Sequence, residues 1–107
     1  MTFLIHADTI IAVSLELLEI AVPEICRFYG IIIAMFYDDH NPPHFHARYG
    51  SDKVSIDIRS LSVLAGKFPP RALGLVTEWA SLHQNELLDD WGLARERRTL
   101  KRIDPLS

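Results

Sequence analysis

From Phe28 to Tyr37 the run FYGIIIAMFY is β-branched and aromatic, with apolar residues on both faces, and predicts a well-buried strand, placed with its flank near residues 25–37. Gly30 inside it marks a bulge or bend. Asp38 to Pro43 is polar and carries Asn-Pro-Pro, which removes two backbone donors and predicts a loop. HFHARY then alternates strictly: Phe45, Ala47 and Tyr49 take one side, and His44, His46 and Arg48 the other. KVSIDI alternates too, with Val54, Ile56 and Ile58 apolar, so Gly50-Ser51-Asp52 joins two strands near 44–50 and 53–59 into a hairpin. Three turn registers are open, and they set Asp57 across from His44, His46 or Arg48. SLSVLAGKF can continue as another short strand.

Near Pro69 the apolar period shifts from 2 to 3.6. Pro69-Pro70 suits a helix entry, and Ala72, Val76, Trp79, Leu87, Trp91 and Ala94 form a stripe that can cover the sheet. One main helix over about 70–97 would be about 42 Å long at 1.5 Å per residue, so a bend near Gly92 is expected. A short terminal strand near 100–103 follows and ends at Pro105. The expected fold class is α+β, a small antiparallel sheet packed by that helix.

The chain's 107 residues suit one domain, and 49% hydrophobic content with 23% charged residues is that of a chain that folds. A net charge of −3 argues against general affinity for nucleic acid, although local clustering can override it. Cys26 is the only cysteine, which excludes an intramolecular disulfide and a cysteine-based zinc site and favours a cytoplasmic protein. Residues 1–22 are rich in Ile, Leu and Val, but no positive charge precedes the run and Asp8, Glu16 and Glu19 interrupt it. Neither a signal peptide nor a membrane span fits. They read as an N-terminal extension that need not belong to the core, with residues 23–107 as the single domain.

The chemistry concentrates in HNPPHFHARYG, where three of five histidines fall within seven positions. His44, His46, Arg48 and Asp57 share the polar face of the hairpin in every register. One reading is acid-base chemistry, with His44 and His46 as acid and base, Asp57 orienting them and Arg48 holding a phosphate, a kit sufficient for RNA cleavage. A second is a non-catalytic interaction module in which His40, Asn41 and the prolines form a stiff recognition loop. A third is metal binding by His44 and His46, with His40 and Asp38 or Asp39 approaching from the loop. The bland alternative is a solvated sheet face. On sequence alone no cofactor is expected and no residue is assigned to a metal. The basic run RERRTLKR is read as helix-end charge and solubility before it is read as an RNA or acidic-partner contact, and His83 as a packed residue of the helix stripe.

PEICRFYG, FYDDHNPPHFHARYG, PPRALGLVTEWASLHQNELLDDW and LKRIDPL resemble the bacterial domain of unknown function 4160 family, over Pro23 to Leu106. The resemblance implies a stand-alone protein encoded beside a second small domain, as a toxin is with its antitoxin. The expected partners are then a small cognate protein, RNA or a second copy of the chain, with no membrane. It brings no established mechanism. Family members resemble chains beginning with Met-Pro where this one has Val22-Pro23, so residues 1–22 depart from the pattern and Val22 is an alternative start.

Overall fold

A computed structural model describes residues 23–107, and the N-terminal extension lies outside them. Five strands, β1 (Glu24–Phe28), β2 (Ile31–Ala34), β3 (His44–Tyr49), β4 (Asp52–Asp57) and β5 (Val63–Gly66), form an antiparallel meander in the order β1-β2-β3-β4-β5. Two helices follow, α1 (Pro70–Leu82) and α2 (Gln84–Arg95). The chain is a small α+β fold, as its hydrophobic pattern predicts.

Its finer boundaries differ from that pattern in three places. The strand expected near 25–37 is two strands, because Tyr29 and Gly30 both take positive φ, 50° and 79°, and reverse the chain between Phe28 and its partner Ile31. Paired positive-φ residues match the twist of a tight hairpin, and Gly30 makes one of them free of strain. The single helix over 70–97 is broken at His83, not bent at Gly92. There φ −129° and ψ 24° leave the helical region, and the His83 N–H closes α1 on the Ala80 carbonyl. The Gln84 side chain then donates to the carbonyls of Ile58 (2.8 Å) and Arg59 (3.1 Å), which docks the start of α2 on the end of β4. The terminal strand near 100–103 is reduced to one ladder-like bond, from Ile103 N–H to Ile25 O at 2.9 Å. Pro105 lacks the N–H that the next bond on that side would need.

The hairpin register is the first of the three: Gly50 and Ser51 are the central turn residues, and His44 stands opposite Asp57. Gly50 has φ 59°, the place a two-residue turn reserves for glycine. Cys26, Ile33, Ala47 and Val54 line up across four strands on the inner face, and all are buried. Phe28 and Phe45 pack on Trp79 of α1 at ring separations of 5.6 and 5.9 Å, and Leu87, Trp91 and Ala94 of α2 complete the core. Trp79 donates its indole N–H to the Asp104 carbonyl at 2.7 Å, so the tail closes over the helix that covers the sheet.

The other face is open among the described residues and has two rows across the strands. Arg27, Ile32, Arg48 and Lys53 form one. Glu24, Ala34, His46, Ser55 and Ala65 form the next. Among the described residues no helix is long and apolar enough to cross a membrane.

Candidate metal centre

The loop between β2 and β3 is fixed at both ends. The Asp38 N–H reaches the Ala94 carbonyl at the end of α2, and the Asp38 carboxylate pairs with Arg97. On the other side the Ile58 N–H takes the Pro43 carbonyl at 3.0 Å, which extends the β3-β4 ladder back into the proline pair. Asp39 is thereby held over the start of β3.

His44 is only 4% exposed, packed against Trp91 of α2 and the edge of His46. Its Nδ1 lies 2.7 Å from the Pro42 carbonyl oxygen. A carbonyl can only accept, so Nδ1 carries a proton, and Nε2 on the far side of the ring is the atom turned toward Asp39. That nitrogen is 2.9 Å from Asp39 Oδ2, and His46 Nε2 is 3.2 Å from the same oxygen. The other oxygen, Oδ1, accepts the His40 N–H at 2.9 Å. One carboxylate oxygen is therefore tied to the backbone while the second faces two imidazole nitrogens.

The charges follow from these contacts. Burial pushes the Asp39 carboxyl up, but the hydrogen bond with His46, the His40 N–H and the two imidazoles together outweigh it, leaving it below the usual carboxylate value. For His46 burial is the largest influence and wins over the attraction of Asp39, so its ring protonates below the usual imidazole value. Near neutral pH the set is a carboxylate beside an unprotonated His46.

Of the sequence-based candidates, the structure brings His44 and His46 together and keeps Arg48 two residues along the same face. It does not bring Asp57 to them. Although Asp57 is the register partner of His44, its Oδ1 accepts the backbone N–H groups of Arg59 (2.8 Å) and Ser60 (2.9 Å), capping the turn into β5. Nearby backbone donors capture a short carboxylate before a cross-strand imidazole can. The carboxylate that faces the two imidazoles is Asp39, which the metal reading offers as one of two loop aspartates. His40 sits at the rim, its side chain 87% exposed with Nδ1 2.9 Å from Asp39 Oδ1, and Asn41 is exposed in the loop. His83 is remote from the site and pairs with Glu86. Sequence reasoning missed Phe36, whose ring stacks on His46 at 4.0 Å and 27°, and Trp91 behind His44. The aromatic end of FYGIIIAMFY was the available signal for Phe36, but a residue past the strand's end has no periodicity to aim it.

Asp39, His44 and His46 each offer one ligand atom, all within 4.8 Å of one another. Four-coordinate zinc with bonds of about 2.0–2.1 Å spaces its ligand atoms about 3.3 Å apart. The separations of 2.9 and 3.2 Å to Asp39 Oδ2 are close to that edge. The Pro42 carbonyl on His44 Nδ1 and the backbone N–H on Asp39 Oδ1 are the outer contacts that orient metal ligands. No curated protein and no solved structure matches this chain. Residues 30–92, more than half of it and including every residue of this cluster, match the family model described as Domain of unknown function (DUF4160), and the chain belongs to that family.

Proposed function

We propose that this protein binds one divalent transition-metal ion of the zinc class through Asp39, His44 and His46, with a coordination position left for water or a substrate oxygen. One observation carries this reading: the Pro42 carbonyl fixes the proton on His44 Nδ1, which turns Nε2 toward a carboxylate oxygen 2.9 Å away that also faces His46 Nε2. That contact needs positive charge between the two atoms, from a proton or a bound cation, and the approach of His46 Nε2 to the same oxygen at 3.2 Å supports the cation. Such an ion acidifies its bound water and polarises a phosphoryl or carbonyl oxygen, which is hydrolytic chemistry.

This order reverses the one read from sequence, where imidazole acid-base chemistry led. In the metal reading His44 and His46 are ligands, and the toxin-like component of a two-gene module, acting on RNA opposite a small cognate protein, becomes a metal-dependent one. That biological role rests on the family resemblance. A second reading, in which His46 and Asp39 form an acid-base dyad without metal, is favoured by the 3.2 Å contact between them.

Elemental analysis of untagged protein separates the two. The expected result is close to one equivalent of zinc-class metal, with Asp39→Asn, His44→Gln and His46→Gln each lowering affinity more than about 100-fold, beyond the loss typical of outer contacts. Protein that is metal-free as purified, and takes up no zinc on titration, overturns the proposal. Growth arrest on overproduction that survives chelation but disappears in His46→Ala would favour the dyad.

A further inference from the structure

The open sheet face beside the cluster has features that the metal site does not use. Arg48 and Lys53 are register partners on adjacent strands, both exposed, and no ion pair among the described residues engages either. Arg27 continues the row beyond Ile32, with its guanidinium 2.6 Å from Glu24. The neighbouring row holds nothing larger than serine from Ala34 to Ala65 on either side of His46, with Glu24 beyond Ala34 on β1. At its end Phe36 is 36% exposed and lies flat on His46.

We infer that this face binds the backbone of a single-stranded nucleic acid, with one phosphate held between Arg48 and Lys53, the next directed to the cluster at His46, and a base stacked on Phe36. The inference rests on the metal reading only for what happens at His46. Adjacent strands are about 4.8 Å apart, so two cations on facing positions can grip the same phosphate. Residues i and i+2 are separated by about 6.8 Å, which puts His46 roughly one step of an extended nucleotide chain from Arg48. The low row leaves room for a strand to lie flat, and an exposed ring is the platform on which an unpaired base stacks irrespective of its identity. With the whole chain at −3, attraction for phosphates rests on local clusters of cations such as this row, and the basic cluster after α2 is the competing one.

Fluorescence anisotropy with a short fluorescein-labelled single-stranded RNA, and with DNA of the same sequence as a second arm, tests this on the full chain. Arg48→Gln combined with Lys53→Gln is expected to weaken binding at least tenfold and to flatten the salt dependence by about 0.7, the share of one phosphate contact on a single strand. Phe36→Ala is expected to weaken it about tenfold. Arg98→Gln combined with Lys101→Gln, in the basic cluster after α2, should change binding less than twofold. Metal content and circular dichroism are measured on every variant. No binding by the parent protein at low salt, or binding lost in the Arg98/Lys101 pair but kept in the Arg48/Lys53 pair, overturns the inference even if the metal is present. Binding that depends on Arg48 and Lys53 in a protein without metal supports the track and sinks only the metal reading.

Discussion

Asp90 is a buried carboxylate with half its hydrogen bonding met: Oδ1 accepts the Lys101 N–H at 2.8 Å, while Oδ2 has no partner among the described residues. Burial is the largest influence on it and pushes its carboxyl above the usual value, past the help of Lys101. A carboxyl that protonates more readily in the folded chain makes the native state bind extra protons between the unfolded and folded values. Stability therefore falls as pH rises through that window, and the cost persists at neutral pH. Asp90→Asn keeps an acceptor for Lys101 and removes the charge. It should raise the melting temperature by a few degrees at pH 7, with the gain shrinking as pH approaches 4. A variant that melts lower than the parent at pH 7 would refute this assignment. At the same scale, the period of two put His44 and His46 side by side correctly, since alternation is a property of the strand alone. The carboxylate was misassigned because strand register sets which Cα atoms face each other, whereas Asp57 bonds to whichever N–H lies nearest, and those belong to Arg59 and Ser60.

Elements were legible where composition and period agreed. The β3-β4 hairpin and its alternation could be read directly, and the split of FYGIIIAMFY could not, because two buried strands joined by two residues look like one longer apolar run. The break at His83 is set by Gln84 reaching Ile58 and Arg59, a contact across 26 and 25 positions that no local period encodes. The β4-β5 connection yields a sharper test of backbone control. Gly66 has φ 87°, and a Cβ added there would lie 2.1 Å from the Lys53 carbonyl oxygen, whereas a Cβ at Gly50 meets nothing within 4 Å. Gly66→Ala should cost at least about 2 kcal/mol in chemical denaturation, and Gly50→Ala about 1 kcal/mol, the strain of a left-handed residue alone. Equal losses at the two positions would mean that β5 yields freely to accommodate the methyl group.

At the scale of the molecule, the last residues lock the two layers together. Ile103 is buried and bonded to Ile25 of β1, and the Asp104 carbonyl receives the Trp79 indole. Ending the chain after Thr99 removes one buried isoleucine and five hydrogen bonds, among them the Lys101 N–H on the buried Asp90 and two from the exposed Arg102 to Glu24, a loss of at least about 4 kcal/mol measurable by urea unfolding. A truncated chain as stable as the parent would show that this clasp contributes nothing.

All three ligands of the candidate centre fall within residues 39–46, although the fold that orients them spans the described chain. So short a spacing makes the entropy of ring closure small even in a denatured polypeptide, which can therefore chelate the ion weakly. Ligand that binds the denatured ensemble as well as the folded one stabilises less than its affinity implies. Saturating zinc should accordingly raise the melting temperature by less than calorimetric affinity for the folded protein predicts, and a synthetic peptide of residues 36–48 should retain measurable zinc binding. During synthesis the ion could then be captured as soon as this segment leaves the ribosome, before either helix exists to cover it.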